Sequence, residues 1–249
     1  MAETAIIIRT KNEQKYLGVV LGSLSRQTYK DFEIIIVDSG STDNTLAVAK
    51  KYPVKILNIA PQDFSYPFAL NFGIERCEAS KYIVIISGHS VPISNTWLAD
   101  GIKNFSRYEK IMGVYGFLKP LPGADWRTWL VMEAVDFWRR LKVFFKERRV
   151  LIERAGMGVM GFTNAIILKE LWDKKHFNED YGLGGEDGEW ADYWFKRGYK
   201  AIKDERFNVR HSHSLGFWGW YKQRQHWRSL SSPQPFHTLS FRKDGLHQK

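Results

Sequence analysis

An α/β protein built on a doubly wound, mostly parallel sheet is the fold class this sequence predicts, and three observations predict it. Ala5 to Ile8 and Glu33 to Val37 are apolar runs of strand length, rich in β-branched residues, as strands buried on both faces require. Each run ends in a polar turn, and each turn leads into apolar residues at helical spacing. The same strand, loop and helix order then recurs down the first half of the chain without an internal repeat.

Arg9-Thr10-Lys11-Asn12-Glu13 closes the first strand, and Leu17, Val20, Leu21 and Leu24 mark one helix face at spacings of three and four. After the second strand, Asp38-Ser39-Gly40-Ser41-Thr42-Asp43-Asn44-Thr45 supplies turn and capping residues for a helix through Ala47, Val48 and Ala49. That helix ends near Tyr52-Pro53, and Val54 to Leu57 reads as a short third strand. Phe68 to Cys77 reads as a helix, Tyr82 to Ile86 as a strand, and Ser87-Gly88-His89-Ser90-Val91-Pro92 as the turn after it. Asn95 to Tyr108 is the next helix, with Trp97, Leu98, Ile102 and Phe105 inward, and Met112 to Leu118 the next strand. Pro120, Pro122 and Gly123 then break the pattern, and Trp126 to Phe145 is an aromatic helix flanked by a basic run, Arg139 to Arg149. Gly158 to Leu168 is small and apolar, with Asn164 its strongly polar interior residue, and Phe177 to Gly185 is loop. Gly184-Gly185-Glu186-Asp187 begins a helix carrying Trp190, Trp194 and Phe195 that Gly198 ends. Ala201 to Val209 is the last strand, ending at Arg210-His211-Ser212-His213, and the polar tail 231–249 follows an aromatic, basic stretch from Phe217 to Arg228. No Gly/Ser-rich linker divides residues 1–230, so one domain is expected.

With 249 residues, 44% hydrophobic and 15% aromatic, the chain can bury a substantial core. Lys plus Arg exceeds Asp plus Glu by 37 − 27 = 10, which favours anionic partners. The single cysteine, Cys77, excludes an intramolecular disulfide and a multi-cysteine zinc site, and it reads as core filling. No apolar stretch approaches the roughly 20 residues of a membrane span, so a cytoplasmic location is expected, in solution or at the inner face of the membrane. Charge and interleaved aromatics alone do not make a nucleic-acid binder, and no recognised binding motif accompanies them.

In open α/β sheets ligands bind beyond the carboxyl ends of the strands. That rule gathers Glu13, Asp38, Ser87-Gly88-His89, Glu186-Asp187 and His211-Ser212-His213 along one edge. Asp38 offers acceptors suited to the N–H of a base, or else pins its own turn together with Asp43. A carboxylate at a helix start, such as Glu186 or Asp187, is either a cap or a reacting group.

Taken in order, Ile8 to Glu13, Glu33 to Thr45, Ala69-Leu70-Asn71-Phe72-Gly73, Gly185-Glu186-Asp187 and a histidine after the last strand make the chain resemble family-2 glycosyltransferases of the GT-A fold, over roughly Ala5 to Arg228. The resemblance implies inverting transfer of a sugar from a nucleotide sugar to an acceptor hydroxyl, with 1–118 as the nucleotide-sugar half and 119–230 as the acceptor half. It implies a nucleotide site of Arg9, Thr10, Asn12, Glu13, Asp38, Ser39, Asn71, Ser87, Gly88 and His89, in which Thr10, Glu13 and Asp38 hold the nucleoside. Asp187 would be the catalytic base and Glu186 its orienting neighbour, since the acceptor hydroxyl must lose a proton as it attacks the anomeric carbon. Asn164, His211, His213, Gln223, His226 and Trp227 would face the acceptor or the diphosphate. Gln223 to Trp227 is similar to the family's Gln-x-x-Arg-Trp element, with His226 in place of arginine.

The departure from the family lies at Ser87-Gly88-His89, where a metal-binding Asp-x-Asp is usual. Without two carboxylates a Mg or Mn site should be weak, so a route without a cofactor is favoured. If a divalent metal does bind, His89, His211 and His213 are the ligands expected. The partners expected are a nucleotide-sugar donor, a saccharide or lipid-linked acceptor, and peripheral contact with an anionic membrane through the aromatic and basic Phe217 to Arg228. Two rivals share the fold: a nucleotidyltransferase that forms nucleotide sugars, disfavoured by the lack of glycine in Arg9 to Glu13, and a non-catalytic nucleotide- or sugar-binding protein.

Overall fold

A computed structural model of the chain describes residues 2–122, 124, 126, 149–156, 158–182, 184–211, 221 and 225. The helix expected over Trp126 to Phe145, most of Phe217 to Arg228, the tail, and the candidates His213, Gln223, His226 and Trp227 lie outside the described residues.

The elements run β1 (Thr4–Thr10), α1 (Leu17–Ser25), β2 (Phe32–Asp38), α2 (Thr45–Ala49), β3 (Lys55–Asn58), α3 (Tyr66–Ile74), β4 (Tyr82–Ser87), β5 (Val91–Pro92), α4 (Trp97–Ile102), β6 (Ile111–Tyr115), β7 (Leu118–Lys119), β8 (Arg149–Ile152), β9 (Asn164–Leu168), α5 (Lys169–Lys174), α6 (Glu186–Phe195), β10 (Lys200–Asp204) and β11 (Val209–Arg210). The large sheet has the order β3-β2-β1-β4-β9-β6-β10-β8. Its β3-β2-β1-β4 part is parallel, as the alternating sequence predicts. β9 runs antiparallel to both β4 and β6, and β8 antiparallel to β10, so the sheet is mixed. The apolar run Ala165 to Leu168 has strand character, but nothing local to it announces that it enters the middle of the sheet.

Period-two alternation divides the core into two layers. Ala5, Ile7, Ile35, Val37, Ile83 and Ile85 face one side, packed by α3, α5 and α6 through Phe68, Trp172, Trp190 and Trp194. Ile6, Ile8, Ile34, Ile36, Val84 and Ile86 face the other, under Leu17, Val20, Leu21 and Leu24 of α1 and Trp97 of α4. Cys77 packs at the margin of the first layer, where burial raises its thiol pKa, in keeping with a filling role.

The last strand expected over Ala201 to Val209 divides in two, because Asp204 to Asn208 turns. Its second part, β11, leaves the large sheet for a small one of order β5-β11-β7. Pairing of Arg210 with Val91 there delivers His211 to the carboxyl end of β4.

Candidate active site

Thr10 and Asp38 are register partners at the ends of β1 and β2, and the Thr10 hydroxyl donates to Asp38 Oδ1 at 3.0 Å. Asp38 also accepts from the backbone N–H of Gly40 at 3.0 Å, that of Ser41 at 2.8 Å and the Ser41 hydroxyl at 2.5 Å. Four donors approach the roughly four acceptor positions of a carboxylate, so the turn-pinning role is realised and a base N–H would have to share an oxygen already engaged. Ser39 is buried and donates both its N–H and its hydroxyl to the Thr10 carbonyl. Asn12, at φ 57, clamps the facing loop by receiving the N–H of Thr42 on its side chain and giving its own N–H to Ser41 Oγ, each at 2.8 Å. The two loops after β1 and β2 are thereby a single preformed unit, and Asn12 lies on its exposed side.

Glu13, in the loop before α1, reaches the loop after β4, where its Oε1 lies 2.7 Å from His89 Nδ1. The His89 ring stacks on His211, centroids 4.5 Å apart and planes at 21°. His211 Nδ1 lies 3.3 Å from Ser87 Oγ and 3.2 Å from Ser90 Oγ, and Ser90 donates to the Thr163 carbonyl at 3.0 Å. Gly88 makes this packing feasible: a Cβ there would sit 2.8 Å from Glu13 Cγ and 3.1 Å from Thr10 Cγ2. Ser90, buried in the centre of the network, belongs to the site although it was no candidate in the sequence; its place in the turn after β4 was the available signal.

Whether a hard divalent cation fits here is decided by the donors. Two imidazoles bind one ion only when their in-plane lone pairs converge on it, and stacked rings at 21° do not converge. Each Nδ1 is already engaged, by Glu13 or by the serine hydroxyls, and among the described residues Glu13 is the one carboxylate of the network. Among the described residues no group of three His, Cys, Asp or Glu is arranged to hold a metal. Among the described residues the stacked imidazole pair and one carboxylate are a poor match to the oxygen-rich shell that Mg or Mn prefers.

Gly185, at φ 100, turns the chain into α6 and places Glu186 and Asp187 in its first turn, where the helix dipole favours anions. Glu186 is buried and Asp187 half-buried. Burial and the neighbouring Asp187 charge push the Glu186 carboxyl up to about 7, against the opposing pull of Arg9. Burial raises Asp187 as well, opposed by the N–H groups of Gly188, 2.7 Å from its Oδ1, and Phe162, and by Arg9.

Three of the candidate side chains are placed away from the paired loops or among buried partners. Arg9 does not join the nucleoside loops. In β1 its side chain follows Ala5 and Ile7 to the face that packs α6, where Nη1 lies 3.7 Å from Glu186 Oε1, Nη2 donates to the Phe162 carbonyl at 3.5 Å, and the guanidinium sits 4.8 Å from the Tyr66 ring centre. Asn71 is a buried bridge. Its amide donates to the Phe177 carbonyl and Glu179 and accepts from Trp172 Nε1 and the Phe177 N–H, which uses every donor it has. Asn164 is 2% exposed at the start of β9 and donates to the Phe207 carbonyl at 2.6 Å, so it ties the large sheet to the approach of β11 instead of meeting an acceptor.

Residues 5–174 match the family described as Glycosyl transferase family 2. The O-antigen chain rhamnosyltransferase RfbN of Salmonella typhimurium is 25% identical over 94% of this chain and 72% of its own length. The O-antigen chain rhamnosyltransferase WbaN of Salmonella anatum is 24% identical over 88% of this chain, which spans 66% of that relative. A mannosyltransferase of Pyrobaculum calidifontis, solved with GDP-Man and Mn2+, superposes with a TM-score of 0.62 at 18% identity, over 90% of this chain and 60% of that one. Glucosyl-3-phosphoglycerate synthase of Mycobacterium tuberculosis, solved with Mn2+, UDP and phosphoglyceric acid, superposes with the same TM-score of 0.62 at 15% identity, over 92% and 76%. The fold is that of the GT-A glycosyltransferases, and by the match over residues 5–174 the chain belongs to glycosyl transferase family 2.

Proposed function

We propose that this chain transfers one sugar, with inversion, from a nucleotide-diphosphate sugar to an acceptor hydroxyl, in the synthesis of a cell-surface polysaccharide or glycolipid. The observation that carries the reading is the Glu186–Asp187 pair at the start of α6, with Asp187 half-buried where an acceptor hydroxyl can reach it. Asp187 takes the acceptor's proton as that oxygen attacks the anomeric carbon, and the nucleoside diphosphate leaves from the opposite face. The paired loops of Thr10, Asn12, Glu13 and Asp38 hold the nucleoside, with Asp38 fixing their shape from behind. Two relatives named as O-antigen rhamnosyltransferases support a deoxyhexose or hexose as the sugar and a surface polysaccharide as the product. A lipid-linked acceptor at an anionic membrane face suits the net charge of +10. Among the described residues no helix is long and apolar enough to cross a membrane.

The leaving diphosphate needs positive charge or hydrogen-bond donors where its own charge develops. Ser87, His89 and His211 occupy the corresponding edge, and their geometry supports a route through protein donors in place of a hard cation. Thermal-shift screening of nucleoside diphosphates and nucleotide sugars, with and without chelator, tests the reading. Stabilisation by one nucleotide sugar in the presence of EDTA, followed by transfer with that donor, is expected. Binding by none of them refutes the donor assignment, and binding that requires Mn2+ refutes the metal-free route.

A further inference from the structure

Arg9 is the residue that the nucleotide reading leaves unused. Its side-chain exposure is 13%, and arginine stays charged at any pH a protein survives, so burial cannot neutralise it. A buried guanidinium requires an anion, and among the described residues Arg9 is ion-paired with Glu186, itself buried. The contact is electrostatic rather than a closed hydrogen-bonded pair: the separation is 3.7 Å, and neither Arg9 Nη1 nor Glu186 Oε2 makes a hydrogen bond among the described residues. The guanidinium is held in place from elsewhere, by the Phe162 carbonyl and the Tyr66 ring.

On this geometry, and resting on the transfer reading above, we propose that Arg9 is a positioning residue that sets the charge of the Glu186–Asp187 pair, keeping Asp187 ionised as the base. Two adjacent carboxylates in a poorly solvated site resist carrying two negative charges, and one would hold a proton. A fixed cation at the end of β1 offsets the second charge. Among the described residues the other charges around the pair are the following. Across space Glu186 experiences Asp187 and Arg9, and Asp187 experiences Arg9. Further along α6, Glu189 is paired with Lys175 at 3.2 Å and Asp192 with Lys196 at 2.6 Å. The facing described residues of the loop before β9, 158–163, carry no titratable side chain, and Tyr66 presents its ring to Arg9. The strand therefore contributes to catalysis from the side opposite the nucleoside loops, through the alternation that turns Arg9 away from Thr10.

The test is a carbon-13 carboxyl titration of Glu186 and Asp187 by NMR, with Glu186→Gln and Asp187→Asn as assignment controls, in the wild type, Arg9→Lys and Arg9→Met. Arg9→Met should move the apparent titration of the pair upward by about one pH unit or more, and Arg9→Lys by less. Unmoved midpoints overturn the proposal. Should Arg9→Met fail to fold, Arg9→Met with Glu186→Gln removes both members of the ion pair together; Asp187 must then titrate higher than in Glu186→Gln alone, and equal midpoints again overturn it. In a transfer assay the acid limb of the rate profile should move upward by the same amount while nucleoside diphosphate affinity holds. A moved titration in a protein that transfers no sugar refutes the transfer reading and leaves the charge coupling standing. Transfer with an unmoved titration refutes the role of Arg9 alone.

Discussion

Glu186 carries its charge at an energetic disadvantage. Its carboxyl titrates near 7 in the folded chain against an ordinary 4.5, so the folded state binds the proton more tightly than the unfolded state does. Stability contributed by the protonated form is complete below about 4.5 and is lost as the pH rises toward 7. Glu186→Gln, which cannot ionise, should therefore gain on the wild type through that window and level off above it. The gain should be on the order of 1–3 kcal/mol at pH 8, reduced by the loss of a counter-charge for Arg9. Chemical denaturation at several pH values checks this, and a gain independent of pH would refute the assignment. Gly88 makes a second residue-scale case. Gly88→Ala must displace Glu13 or Thr10, so the His89 contact and nucleoside diphosphate affinity should weaken together, by about 1–3 kcal/mol in calorimetry.

At the scale of elements, α3 and the segment around α5 are locked by one side chain. Asn71 joins them through four hydrogen bonds, three of them buried, and Asn71→Leu would leave the Trp172 indole and the Phe177 N–H without their acceptor. A loss of about 2–5 kcal/mol in stability is expected, with nucleoside diphosphate affinity unchanged in the folded fraction. Reduced affinity at full folding would return Asn71 to the nucleotide site. The same elements show what a sequence exposes. β1, α1, β2 and β4 were legible because burial on both faces, polar turns and helical spacing are local patterns, and Gly184-Gly185 marked the start of α6. β9 was not, since its neighbours β4 and β6 are distant in sequence. The packing of Asn71 and Asn164 was hidden for a related reason: an amide in a motif looks the same whether it meets a ligand or a buried carbonyl. The direction of the Arg9 side chain was hidden because a loop motif masks strand alternation, which continues to the last residue of β1.

For the whole molecule, one sheet collects groups of different duties along its carboxyl edge. The loops after its first two strands, β1 and β2, pair through Thr10, Asn12 and Asp38. The turn after β4, with β11 from the small sheet, builds the Glu13, His89, His211 and Ser90 network. β1 also presents Arg9 to the start of α6, so the donor half of the sheet and the carboxylate pair are joined by a buried ion pair. The large sheet takes β8, β9 and β10 from beyond residue 119 and interleaves them with earlier strands, so the two halves expected from the sequence share one core. His89→Ala should slow transfer more than it weakens nucleoside binding, because charge on the leaving diphosphate grows toward the transition state. Equal losses in kcat and in affinity would assign His89 to ground-state binding.

The most direct test of the central claim is the transfer rate of Asp187→Asn at saturating nucleotide sugar, measured beside its affinity for the nucleoside diphosphate. Asparagine keeps the shape of the side chain and removes the proton acceptor, so the rate should fall by roughly 10²–10⁴ while the affinity holds. Transfer near the wild-type rate would contradict the account and leave Asp187 a helix cap.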